Sequence, residues 1–150
     1  MEPRRWLCTA ALAALAGCAA APRPVAFEVG AAEFSGGDEI VVEEVCSSSG
    51  QIAPGSLVTV RGKYRLASRD SGRLYLGTTT HGASPDQGDD VVSSCTVARG
   101  LGAFELQHRI PAPGYLHVTF YDVPSGEPFG GRYFGSGESL LVAKNWPYAR

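Results

Sequence analysis

The side chains of this chain that could do chemistry are three histidines, a group of carboxylates, a row of cations and two cysteines remote from the N-terminus. His108 and His117 flank the turn Pro111-Ala112-Pro113-Gly114. Two imidazoles on neighbouring strands could bind a metal ion or exchange protons. The spacing argues against that. If the flanking strands pair across the turn, keeping Phe104, Leu106 and Ile110 on one face with Leu116, Val118 and Phe120 makes even positions oppose even ones. His108 is then expected on the apolar face beside Leu116 or Val118, and His117 on the opposite face near Arg109 or Gln107. A one-residue slip would join the rings and expose half of the apolar set. His81 stands in a polar loop with no obvious partner. In the same loop, Asp86, Asp89 and Asp90 gather oxygen ligands of the kind Ca²⁺ takes. Their spacing fits no standard loop, so a solvated acidic turn is expected.

Catalytic signatures are missing. There is no G-x-S-x-G, no H-E-x-x-H, no phosphate-binding G-x-x-x-x-G-K-[ST] and no EF-hand loop. The glycine-rich run Gly130–Gly137 lacks both a strand-to-helix setting and a lysine, and reads as a turn-rich connection. No catalytic residue, metal or cofactor is therefore expected. Tyr115, Phe120, Tyr121, Phe129, Tyr133, Phe134, Trp146 and Tyr148 make the C-terminal third aromatic. Such rings can stack on sugars, but core filling is the expectation, with Trp146 and Tyr148 docking the C-terminus.

The candidate binding feature is basic. Arg61, Lys63 and Arg65 alternate with Val58, Val60, Tyr64 and Leu66, so burial of the apolar set turns the cations outward. Arg69 and Arg73 follow closely. The stripe could meet lipid phosphates or an acidic glycan. The competing expectation is an ordinary solvated face, opposed by carboxylates such as Glu43.

The elements that must position these residues are strands. The chain has 150 residues, of which 44% are hydrophobic, with 19 glycines and 10 prolines between short apolar stretches. That texture suits one all-β domain. A formal charge of −2 argues against a nucleic-acid partner. Period-two alternation predicts strands at Glu39–Cys46, Leu57–Ala67, Arg73–Thr80, Val91–Ala98, Ala103–Ile110, Tyr115–Asp122 and near Ser139–Lys144. Ser68–Gly72 and Arg99–Gly102 read as turns between them, and Val25, Phe27 and Val29 alternate as a short edge strand would. About seven strands with regular turns predict an antiparallel, immunoglobulin-like β-sandwich, with a small up-and-down or Greek-key barrel as the alternative. The segment Pro54-Gly55-Ser56-Leu57-Val58-Thr59-Val60-Arg61-Gly62 resembles a strand of bacterial Ig-like surface domains. No Trp lies between Cys46 and Cys95, so the antibody hallmark is absent.

The N-terminus carries an address. Arg4 and Arg5 precede an apolar stretch from Trp6 to Ala16, too short to span a bilayer, and small residues follow. Leu15-Ala16-Gly17-Cys18 resembles the lipobox of bacterial lipoproteins at every position. The resemblance implies cleavage before Cys18, lipidation of Cys18 and a membrane partner through that anchor; more than one acyl chain makes such an anchor stable. Ala19 in place of Asp implies outer-membrane delivery, on the periplasmic or surface side. In that oxidising compartment Cys46 and Cys95 form an even pair, and a disulfide is expected, with two unpaired thiols or a metal as alternatives. Such a bridge would add roughly 4 kcal/mol. The expected organisation is a signal peptide over 1–17, lipidated Cys18 and a flexible tether over 18–37, and a β-sandwich over 38–150. The expected function is a non-catalytic binding or structural module of the cell envelope. Its further partner would be an anionic envelope component or an envelope protein. A small envelope hydrolase is the alternative.

Overall fold

The longest strand organises the molecule. In the computed structural model, which describes residues 21–80 and 92–137, Leu57–Thr80 is one strand of 24 residues. Strands usually run 3–10 residues, so this one serves two parts of the sheet. The full order is β1 (Arg23–Pro24), β2 (Glu28–Glu33), β3 (Glu39–Ser47), β4 (Leu57–Thr80), β5 (Ser94–Arg109), β6 (Gly114–Tyr121) and β7 (Pro128–Gly135). All pairings are antiparallel, and the described residues contain no helix. The sheet order is β1-β3-β4-β6-β7-β2, with β5 paired to β4. The first half of β4 lies beside β3 from Val58 to Arg65, and its second half beside β6 from Arg73 to Thr80.

The ribbon of β4 and β5 is broken once. Between Leu66 and Ser71 the register shifts, so that residues 67–70 of β4 stand against Arg99 alone. Backbone amides set free by such a bulge need other partners. Asp38 supplies them. Its Oδ1 accepts the Ala67 N–H at 2.8 Å and the Ser68 N–H at 2.9 Å, and its Oδ2 accepts the Ser68 hydroxyl at 2.5 Å. From the other side, Arg99 donates to the Ala67 carbonyl and to Asp70.

The sheet curls into a half-barrel around one core, which holds Ile40, Val60, Leu66, Leu74, Leu76, Leu106, Leu116, Val118, Phe120 and Phe134. Its end strands β1 and β2 are neighbours in the chain. Pro24 and Glu28 are four steps apart, so the two edges lie within about 14 Å. Phe27 crosses that gap and meets Phe134 edge-on, with centroids 6.2 Å apart. Arg132 of β7 donates through Nε to the Ile40 carbonyl of β3 at 2.9 Å, which ties the rims directly. Glycines admit rings where strands cross: a Cβ on Gly102 would meet the Tyr64 ring at 2.5 Å, and one on Gly62 would meet Phe104 at 2.8 Å.

Several expectations change. Ser68–Gly72 and Arg99–Gly102 are not hairpin turns but lie within β4 and β5, because both strands continue past the bulge. The glycine-rich segment is strand β7; Gly131 allows Thr119 to pack against it, where a Cβ would sit 2.6 Å from the hydroxyl. Parts of the segment expected as tether, Arg23–Pro24 and Glu28–Glu33, are paired as β1 and β2. The antiparallel all-β class holds, in the form of a curled half-barrel. The signal peptide with Cys18, the 81–90 loop with His81 and its aspartates, the strand near Ser139–Lys144, Trp146 and Tyr148 lie outside the described residues.

Removing the carboxylate at the bulge should cost more than removing its charge. Asp38→Ala is expected to destabilise the domain by about 2–4 kcal/mol, since hydrogen bonds to a charged group are worth roughly 1.5–3 each and two amides would be orphaned. Asp38→Asn should lose less, because its amide oxygen still accepts. Urea unfolding of the three proteins checks the order.

Candidate functional site

The outward face of β3, β4 and β5 carries the basic stripe. Each of its cations is met by carboxylates. Arg61 contacts Glu44 through Nη1 and Glu105 through Nε, both at 2.6 Å. Lys63 lies 2.6 Å from Glu43, and Arg65 lies 2.8 Å from Glu39. The register explains the pairing: Glu44 and Glu105 flank Arg61 on β3 and β5, and Glu39 flanks Arg65. A register shift between Val42 and Glu44 places Glu43 and Glu44 together beside the stripe. The hydrogen bonds that Arg61 donates to Glu105 and then to Glu44 hold its guanidinium above its ordinary pKa. All these side chains are substantially exposed, so solvent screens the pairs and they add little to stability. The face is a charge lattice of three cations and four carboxylates. Arg61, Lys63 and Arg65 do not form the unpaired positive stripe that would attract anions.

Both described histidines are buried. His108 is on β5 with its ring fully buried, and its Nε2 shares a hydrogen bond of 2.6 Å with the Thr78 hydroxyl of β4. A hydroxyl beside an imidazole is the spacing of a nucleophile and its base. Here the imidazole faces the closed core, and the bond satisfies a buried polar group. The expected β5–β6 pairing across the Pro-Gly turn does not form, since both strands pair with β4: His108 stands opposite Val58, and His117 opposite Gly77 and Tyr133.

His117 does lie on the opposite face from Leu116 and Val118, but not beside Arg109 or Gln107. That face is roofed with rings. Tyr75 and Tyr133 lie 6.1 and 5.7 Å from the His117 ring centroid. Tyr121 meets Tyr75 at 5.8 Å, and Tyr115 meets Tyr133 at 6.2 Å. His117 Nδ1 bonds to the Thr119 hydroxyl at 2.7 Å, and the Tyr133 and Thr79 hydroxyls share a bond of 3.1 Å. Tyr133 is 1% exposed. Burial raises the Tyr75 phenol above its ordinary pKa. This aromatic face was not foreseen as a unit. Its signal was the period-two series Tyr115, His117, Thr119 and Tyr121, but Tyr133 joins it only once β7 is recognised as a strand.

The cysteines are not paired. Cys46 is buried and Cys95 partly buried, both as free thiols. Cys46 stands opposite Thr59 and Cys95 opposite Leu74, positions on different arms of β4 on either side of the bulge. Burial raises the Cys95 thiol pKa. Among the described residues no group of three or more His, Cys, Asp or Glu side chains could hold a metal ion, and no helix is long and apolar enough to cross a membrane.

Compared with protein-family models, with curated proteins and with solved structures, the chain matches none.

Desolvation lowers both histidines from 6.5 to about 4, with the charge of His108 adding to the effect at His117. The unfolded chain therefore takes up protons below about pH 6.5 that the folded domain refuses until about pH 4. Stability should be flat above pH 7 and fall between pH 6.5 and 5, above the ordinary carboxylate range, with a slope approaching two protons. Urea midpoints measured across that window check it; no fall above pH 5 would contradict it.

Proposed function

We propose that this chain is a lipid-anchored module of the bacterial cell envelope that acts by binding or by structure rather than by catalysis. The observation that carries the reading is the run from Arg4 and Arg5 through the apolar Trp6–Ala16 stretch to Leu15-Ala16-Gly17-Cys18. The fold adds support. Arg23, in β1, is five residues beyond Cys18, so the chain can hold the sheet no further than about 17 Å from the lipidated residue. The domain therefore sits on the bilayer surface rather than on a long tether. The finer architecture we read as an Ig-like sandwich, with the two arms of the β4–β5 ribbon in opposite layers.

Labelling cells with a fatty-acid probe tests the anchor. Label should enter the wild-type chain and be lost in Cys18→Ala. Equal labelling of both would overturn the reading.

A further inference from the structure

The chain enters the sheet at one end. Arg23 of β1 pairs with Ser47, Ser47 with Val58 and Val58 with His108, so a single row crosses β1, β3, β4 and β5 there. Just beyond that row lie the connection 48–56 and the turn 111–113. They are tied together, since the Gly55 N–H donates to the Ile110 carbonyl at 2.8 Å and the Ile110 N–H to the Ser56 carbonyl at 3.0 Å. This end differs in chemistry from the rest of the surface. No Asp, Glu, Lys or Arg occurs between Glu44 and Arg61, or between Arg109 and Asp122. Ser48, Ser49, Gln51, Pro54 and Gly55 are exposed. Among the described residues, the one carboxylate at this end is Glu28, at the start of β2. The opposite end is crowded with charge: Asp70, Asp122 and Glu127 gather there with Arg69 and Arg99. Most described cations are also matched. Arg61, Lys63, Arg65, Arg69 and Arg99 meet carboxylates, and Arg73 and Arg132 lie over rings. Arg23 is exposed, and no carboxylate among the described residues meets it.

We propose, resting on the anchor reading above, that this end of the sheet is the surface that contacts the bilayer, with Arg23 against anionic lipid headgroups and the uncharged 48–56 connection at the lipid surface. Reach decides which end it is. The five steps from Cys18 to Arg23 extend to about 17 Å. From Val58, in the row of Arg23, to Leu66, beside the bulge, β4 runs about 26 Å. The bulge end therefore stands farther from Arg23 than the tether can span, and with Cys18 held at the lipid the domain cannot invert. Charge favours the same orientation. An exposed arginine is drawn to an anionic surface. The carboxylates of the bulge end would be repelled by that surface, and here they face away from it. The hydroxyl and amide groups of Ser48, Ser49 and Gln51 can bond headgroup oxygens without the cost of desolvating a charge.

Native alanines allow the orientation to be read without substitution. Ala53 and Ala112 stand at the end assigned to the bilayer, and Ala67 and Ala98 at the bulge. The full chain, processed and lipidated by the cell, is placed in nanodiscs that contain phosphatidylglycerol and a lipid with a nitroxide on its headgroup. The methyl NMR signals of Ala53 and Ala112 should lose most of their intensity to the nitroxide, while those of Ala67 and Ala98 keep theirs. On the same discs, Arg23→Glu should lessen the loss at Ala53 and Ala112. Equal loss at both ends, greater loss at Ala67 and Ala98, or no effect of Arg23→Glu would each overturn the proposal and leave the anchor reading standing. A chain that takes no fatty-acid label and does not co-purify with the discs would overturn both.

Discussion

Everything in this fold follows from the need to bend a strand that is too long for one layer. β4 must bury Val58 and Val60 at one end and Leu74 and Leu76 at the other, around the same core. A straight strand of its 24 residues would run roughly 80 Å. The bend frees backbone groups at residues 67–70, and a desolvated amide without a partner costs roughly 1–3 kcal/mol. Asp38, delivered by the chain just before β3, answers that demand with three hydrogen bonds. Arg99 holds the carbonyl side. The curl, the approach of β3 to β7 and the crossing of Phe27 between the rims depend on this corner.

Charge is arranged by the same geometry. The outward face keeps its arginines and lysine, but the register sets glutamates beside them on both neighbouring strands. Inside, His108 and His117 are held neutral by burial, and each bonds one threonine hydroxyl through one ring nitrogen. Neither arrangement leaves an activated nucleophile or a cation cluster. That is why the functional reading rests on the anchor motif rather than on a cluster of reactive groups.

The sequence was most legible where alternation is local. The inward sets on β3, β4, β5 and β6 follow period-two patterning, and even the opposition of the basic stripe by Glu43 could be anticipated. It was least legible where a distant residue decides. Ser68–Gly72 has the composition of a turn, and only Asp38, some thirty positions away, makes it a bulge within a strand. Gly130 and Gly131 suggested a loop because glycine usually weakens strands; here the bare backbone lets Thr119 and Phe34 pack closely. Cysteine count suggested a bridge, but counting cannot say that Cys46 and Cys95 sit on opposite arms of a bent ribbon. His117 had its face assigned correctly, while the tyrosines that bury it come from three strands whose pairing had to be known.

The corner at Asp38 can be read directly by amide hydrogen exchange in the native protein. Ala67 and Ser68 lie outside the β4–β5 ladder, where an open turn would exchange within the fast loop population. If their amides are held by the Asp38 carboxylate, both should be protected to the level of Val60 and Leu74 in the flanking arms. Exchange of Ala67 and Ser68 at the rate of an exposed loop, with the arms still protected, would contradict the account of how this sheet is folded.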